Sequence, residues 1–295
     1  MRIYIGVLLL LTSPAYSATL RQESIQAWDR YVAAADGKMK ARTQENATFL
    51  WVDESPVRLH RVQSGEMVVS ETVSGGSKKA PSALIHDWIG AAFIPGAKID
   101  DVVSVLRNYN AYREYYRPNV VSSRTLAQDS LNDRFAVLLV NQSLALKTAV
   151  EAECQASYTQ VNDTRWYGTT YSTRIQEIED LGRSAERRLA AGEGVGYLWR
   201  LASITRFEER DGGVYFEVEA MALSRDVPLS LRFVVDPIVR RVSKNSLAES
   251  LRQTGKAVNE SLAMNNGAVK VANERKRAAP QARRSSAFGT AMANP

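Results

Sequence analysis

A two-residue turn, Asp211-Gly212, interrupts the stretch TRFEERDGGVYFEVE at residues 205–219, in which apolar and polar side chains alternate. Both central residues of a type I′ turn need a positive φ, which glycine adopts freely and aspartate tolerates. The turn therefore predicts a β-hairpin in which Phe207 pairs with Phe216. This register is a strong constraint on the fold, because a slip of one residue would move every side chain to the opposite face.

The two faces of the predicted hairpin differ in their chemistry. One is apolar, and the other carries charged side chains, with Arg206 opposite Glu217. We expect the charged face to be solvated, since antiparallel sheets commonly have one wet side. The alternative places Arg206 and Glu217 inside a pocket, as a polar pair that orients a ligand. The apolar face is predicted to consist of Trp199, Leu201, Ser203, Thr205, Phe207, Val214, Phe216, Val218 and Ala220.

The order of elements along the chain predicts an α+β domain. Helical spacing of apolar residues is found at residues 18–42 and 100–116, and again after residue 228, where Leu247 and Leu251 are four residues apart. Most of the chain between these helices is rich in β-branched and aromatic residues, which favour strands. Strands are predicted at residues 49–53, 56–63, 65–73, 84–94, 120–126, 134–140, 144–158, 165–178, 197–210 and 214–223.

The first 17 residues have the pattern of a secretory signal peptide. Arg2 precedes an apolar run at residues 3–11, and Ala15-Tyr16-Ser17 is a small-x-small cleavage signal. The run is shorter than the roughly 20 residues that span a bilayer, so no transmembrane helix is expected. We expect a mature protein that begins near Ala18 and is exported to the periplasm or the cell exterior.

The net charge of +6 is concentrated at the carboxyl end of the chain. Residues 18–255 contain 30 basic and 30 acidic side chains, whereas residues 256–295 contain seven basic and two acidic ones. Nucleic acid is therefore not an expected partner of the folded domain. We expect residues 259–295 to form a disordered basic tail, for which weak contact with an anionic membrane surface is an alternative.

The residue composition is not typical of a metal centre or of a familiar catalytic motif. His60, His86 and Cys154 are the only histidines and cysteine, too few for a usual zinc site. Cys154 lies in an alternating stretch and is expected to be a small buried side chain. His86 beside Asp87 is a candidate general base, but no residue is assigned as catalytic, and no cofactor or metal is expected.

Three segments resemble the StAR-related lipid-transfer (START) and polyketide cyclase superfamily, SRPBCC, and in particular its bacterial exported proteins without an assigned activity. They are HDWIGAAFIPGAKIDDVVSVLRNYNAYREYYRPNVVSSRTL at 86–126, RWYGTTYSTRIQEIED at 165–180 and GYLWRLASITRFEERDGGVYFEVEAMALSRDVP at 196–228. The resemblance implies a START-like helix-grip fold, in which a curved antiparallel sheet wraps around a long C-terminal helix with a ligand cavity between them.

This fold divides the chain into four predicted regions. After the signal peptide, residues 18–82 form a helix and strands that belong to the main domain or pack on it, residues 83–258 form the helix-grip core, and the tail follows. The cavity would be lined by the apolar hairpin face and the closing helix. The predicted lining residues are Trp199, Leu201, Ser203, Thr205, Phe207, Phe216, Val218, Ala220, Leu247 and Leu251.

The function predicted from these features is binding or carriage of a hydrophobic or lipid-like small molecule. A cyclase or aromatase-like enzyme in the same cavity is an alternative, with Arg206, Glu217 and His86 as its candidate polar groups. A second alternative is an envelope interaction module that uses the outer sheet face and the basic tail.

Overall fold

A computed structural model of the chain describes residues 18–143 and 146–288. The predicted signal peptide lies outside the described residues. The helices are α1 (Gln22–Arg42), α2 (Pro56–Gln63), α3 (Ile99–Arg107), α4 (Tyr112–Tyr115) and α5 (Leu229–Phe288). The strands are β1 (Ala18–Thr19), β2 (Val68–Glu71), β3 (Ser77–Ala80), β4 (Ala83–Pro95), β5 (Val120–Gln128), β6 (Asn132–Ser143), β7 (Leu146–Asn162), β8 (Arg165–Glu179), β9 (Arg187–Arg188), β10 (Glu193–Gly194), β11 (Arg200–Arg210) and β12 (Gly213–Arg225).

Ten of these strands form one antiparallel sheet in the order β2-β4-β12-β11-β8-β7-β6-β5, with β3 paired to β4 and β9 to β8. The predicted α+β class, a large antiparallel sheet with the C-terminal helix packed against it, is confirmed. The hairpin register is also confirmed, with Phe207 opposite Phe216. Asp211 and Gly212 have φ values of 55° and 75°, as a type I′ turn requires.

Each face of the sheet packs against its own set of helices. We call the side covered by α3 and α5 the inner face; its buried residues include Phe207 and Phe216. We call the side covered by α1, α2 and residues 49–52 the outer face; its buried residues include Ile204 and Tyr215. Because side chains alternate along β11 and β12, each of these strands contributes residues to two separate hydrophobic cores.

The closing helix α5 approaches the inner face at Gly90. A Cβ atom at this glycine would lie 2.7 Å from Leu251 Cδ1 and 3.3 Å from Leu247 Cδ2, so the absence of a side chain allows the close contact. The backbone of α5 continues to Phe288, although a disordered tail is predicted from residue 259. No helix in the described ranges is both long and apolar enough to cross a membrane.

The prediction of a strand at residues 56–63 is wrong, because this segment forms α2. Pro56 occupies the first helical position, where its missing N–H costs no hydrogen bond. The Ser55 hydroxyl accepts a hydrogen bond from Arg58 N at 3.4 Å and caps the helix. Residues 49–53 also do not form a strand, since their backbone turns into a short 3-10 helix at Val52–Glu54.

Candidate ligand-binding site

Small side chains occupy the centre of the inner face. Two neighbouring rows cross strands β12, β11 and β8: one consists of Val218, Thr205 and Gly168, and the next of Ala220, Ser203 and Thr170. All of these except Gly168 are partly exposed. By contrast, Phe207 and Phe216 in the adjoining row are 0% and 2% exposed. We call the surface formed by the six small residues the central hollow.

The central hollow lies between two covered parts of the sheet. On one side, Leu251 of α5 packs over Gly90 of β4. On the other, Tyr109, directly after α3, stacks on Phe135 of β6 with ring centroids 4.1 Å apart. The strands between β4 and β6 carry the small side chains of the central hollow.

Several hydroxyl groups lie among the inner-face aromatic residues. The Tyr116 hydroxyl is 3.0 Å from Thr254 Oγ1 of α5, and Tyr109 donates to Asp133 Oδ2 at 2.8 Å. Burial raises the pKa of both Tyr116 and Tyr158 to about 12, so these phenols are neutral near pH 7. Each phenol can donate one hydrogen bond.

Most of the predicted lining residues lie on the inner side of the sheet or on the helix packed against it. Their contact with a ligand stays a prediction. On the sheet they are Leu201, Ser203, Thr205, Phe207, Phe216, Val218 and Ala220, and on α5 they are Leu247 and Leu251.

The predicted position of Trp199 is wrong, because its side chain is buried in the outer core. Strand β11 begins only at Arg200, so the alternation of faces does not extend back to residue 199. The Trp199 ring packs over Gly196, where a Cβ atom would lie 2.8 Å from Trp199 Cζ2.

The prediction of a solvated Arg206–Glu217 pair is also wrong. Arg206 is 2% exposed and Glu217 is 0% exposed, and both lie on the outer face rather than in the central hollow. Arg206 Nη1 donates to Glu217 Oε2 at 3.3 Å. Glu217 also accepts hydrogen bonds from Val52 N at 2.8 Å and Trp51 N at 3.0 Å.

This carboxylate therefore anchors the N-terminal segment to the sheet. Burial raises the pKa of Glu217, while Arg206 and the two backbone amides act in the opposite direction. The signal that the sequence prediction missed is the apolar run FLWV at residues 49–52, which covers the charged face. The sequence prediction also missed Gly168 and Thr170 of the central hollow, because it did not place β8 beside β11.

His86, the candidate base, lies beneath the first part of α5. Its Nε2 atom is 2.8 Å from Ser224 Oγ, and Asp236 is near enough to favour its protonated form. Burial is the larger effect and lowers the pKa of His86. The space beside these side chains is about 30 Å³, which is enough for one water molecule but not for an organic substrate.

A cleft of about 500 Å³ also lies between α5 and the end of β4. Of the predicted lining residues, Leu251 borders this cleft, together with Phe93, Gly255 and Lys256. Cys154 is buried in the inner core, and burial raises the pKa of its thiol to about 12. Within the described ranges, no three histidine, cysteine, aspartate or glutamate side chains are grouped so that they could hold a metal ion.

Comparison with known proteins gives similarity to solved structures alone. No protein-family model and no curated protein matches the chain. The STAR-related lipid transfer protein from Xanthomonas axonopodis is 16% identical, with 62% of this chain and 99% of that chain covered and a TM-score of 0.42. Human STARD10 is 8% identical, with 78% and 88% covered and a TM-score of 0.44. The Zhui aromatase/cyclase from a Streptomyces species is 8% identical, with 60% and 96% covered and a TM-score of 0.41.

Proposed function

We propose that this chain is an exported binding or carrier protein for a hydrophobic or lipid-like small molecule held between the inner face and α5. The observation that carries the proposal is the central hollow, where small side chains stay partly exposed beside buried aromatic rings. Val218 and Ala220 offer apolar surface, and Ser203 and Thr205 add hydroxyl groups. Binding sites for small molecules commonly combine apolar walls with a few polar groups.

The geometry supports binding better than the cyclase alternative. The cyclase hypothesis used Arg206 and Glu217, but both are buried on the outer face and hydrogen-bonded within the protein. The space beside His86 is about 30 Å³, too small for an organic substrate. The interaction-module alternative is weakened as well, because the chain's own residues 49–63 occupy part of the outer face.

The proposal can be tested with the mature protein, residues 18–295. Bound molecules would be extracted from the purified protein and identified by mass spectrometry. An apolar fluorescent dye and a fatty acid would then be titrated into the emptied protein. We expect saturable binding of the dye and its displacement by the fatty acid.

Two substitutions at one position locate the site. Ser203→Trp fills the central hollow and is expected to abolish dye binding, with little loss of stability because the void accommodates the ring. Ser203→Ala keeps the hollow open and is expected to bind dye like the unmodified protein. If Ser203→Trp binds dye normally, or lowers the melting temperature strongly, the hollow does not hold the ligand.

A further inference from the structure

A second cleft, of about 430 Å³, lies on the outer face between α1 and strands β3 and β4. It is separated from the central hollow by the thickness of the sheet. Its α1 wall contains alanines, including Ala27 and Ala34, whose small side chains leave it open. The volume falls within the range of sites that hold small molecules. We call it the outer cleft.

The floor of the outer cleft contains a buried carboxylate with one unused oxygen. Asp87 is 3% exposed, and its Oδ2 accepts a hydrogen bond from the Tyr31 hydroxyl at 2.6 Å. Its Oδ1 is buried without a hydrogen-bond partner among the described residues. Burial raises the pKa of Asp87, and the bond from Tyr31 acts in the opposite direction. A buried carboxylate oxygen without a donor is costly, and a ligand with N–H groups would relieve that cost.

The rim of the outer cleft is basic. Arg30, Lys38, Lys78 and Lys79 border it and are exposed, and none of them forms an ion pair with a described acidic side chain. Glu219, the other acid at the floor, already accepts from Arg206 Nη2 at 2.5 Å. The outer cleft thus has at its floor the carboxylate of Asp87, one oxygen of which lacks a hydrogen-bond donor, and at its rim several cationic side chains that lack an ion-pair partner among the described residues.

Tyr31 connects the two ends of this charge pattern. Its hydroxyl binds Asp87, and Lys78 Nζ lies 5.5 Å from the centre of its ring. Lys78 is paired across the strands with Ile85, two residues from Asp87 along β4. This offset corresponds to roughly 7 Å, because a strand rises about 3.4 Å per residue. A molecule that spans these sites must be short and must carry charges of opposite sign at its two ends.

We infer that the outer cleft binds a small zwitterion, with its primary ammonium group on Asp87 and its phosphate or carboxylate group on the lysines of the rim. The ammonium group supplies the N–H donors that Asp87 Oδ1 lacks. The anionic group neutralises Lys78 and its basic neighbours. An aminoethyl phosphate group has this chemistry, either as a free molecule or as the headgroup of a lipid.

Calorimetry on the mature protein with four probes tests the charge pattern directly. The probes are O-phosphoethanolamine, ethanolamine, inorganic phosphate and phosphocholine, whose quaternary nitrogen has no N–H donor. We expect O-phosphoethanolamine to bind at least about ten-fold more tightly than each of the others, since each lacks one of the two matched groups. Absence of O-phosphoethanolamine binding at millimolar concentration, or equal affinity for phosphocholine or phosphate, would overturn the inference.

Variants test the two ends of the cleft separately. Asp87→Asn is expected to weaken O-phosphoethanolamine binding by about thirty-fold or more. The double change Lys78→Ala and Lys79→Ala should weaken it by about three- to ten-fold and reduce its salt dependence. Lys40→Ala, on the same helix but outside the cleft, should leave affinity unchanged. Unchanged affinity in the double lysine variant would contradict the inference even if Asp87→Asn fails to fold.

Vesicle sedimentation separates the two sources of the ligand. Protein would be mixed with phosphatidylcholine vesicles with and without phosphatidylethanolamine. Sedimentation that requires phosphatidylethanolamine and is lost in the double lysine variant identifies a headgroup. O-phosphoethanolamine binding without sedimentation identifies a free zwitterion. Because Ser203→Trp blocks only the central hollow, it should leave O-phosphoethanolamine binding intact, so the two sites can fail independently.

Discussion

Replacement of Arg206 by alanine tests how completely residues 49–52 shield the outer face from solvent. Arg206 donates to Glu217 at 3.3 Å and to Glu219 at 2.5 Å, and its side chain is 3% exposed. Removing it leaves the fully buried Glu217 carboxylate without its cationic partner, although two backbone N–H bonds remain. Breaking a buried pair in this way costs about 3–5 kcal/mol. For a domain of this size the melting temperature should fall by roughly 6–20 °C.

The assay is thermal and urea denaturation of residues 18–295, with Arg252→Ala as the matched control. Arg252 pairs with Glu249 on the surface of α5, where the two side chains are 51% and 37% exposed. Such an exposed pair contributes less than about 1 kcal/mol, and salt screens it further. If Arg206→Ala lowers stability no more than Arg252→Ala does, the outer face is solvated and residues 49–52 do not cover it.

Three further predictions concern packing, pH and processing. Gly90→Val forces α5 away from the sheet and should lower the free energy of unfolding by about 1–3 kcal/mol in urea denaturation. Gly255→Ala, in α5 with no atom near its new Cβ, should raise it by about 0.5–1 kcal/mol. Equal effects of the two changes would argue against the close contact at Gly90. Burial lowers the pKa of His86, so the contribution of this side chain to stability is full above about pH 6.5 and is lost as the pH falls through the folded-state pKa. The His86→Gln variant should therefore lose less stability than the unmodified protein when the pH is lowered from about 7.5 to about 5. An identical loss in the two proteins would contradict this. Amino-terminal sequencing of the protein from the periplasmic or extracellular fraction should begin at Ala18, and recovery of uncleaved protein in the cytoplasm would contradict the predicted export.

Local patterns predicted the strand-rich part of the fold well. The Asp211-Gly212 turn determines the pairing of β11 with β12, because the φ values that the turn needs permit few other residues. The same alternation correctly separated Phe207 from Arg206 and assigned them to opposite faces. These are short-range signals, and they suffice where neighbouring strands are also neighbours in sequence.

The errors lie where distant segments decide the environment. Nothing near Glu217 in the sequence indicates that the amides of Trp51 and Val52 bind it. The error at residues 56–63 is of a different kind, because Ser55 and Pro56 are local signals for the start of a helix that the prediction did not use. The predicted site likewise lacked Gly168 and Thr170, because strand order cannot be derived from the pattern within each strand.

The long separation between Glu217 and its backbone partners has a consequence for the order of folding. Trp51 and the carboxylate that binds it are 166 residues apart in the chain. A ribosome that adds about 5–20 residues per second needs roughly ten to thirty seconds between them. During that time the amides of Trp51 and Val52 lack the carboxylate that binds them, and a contact of such long range also forms slowly. The outer core around residues 49–52 is thus completed only after β12 has been made.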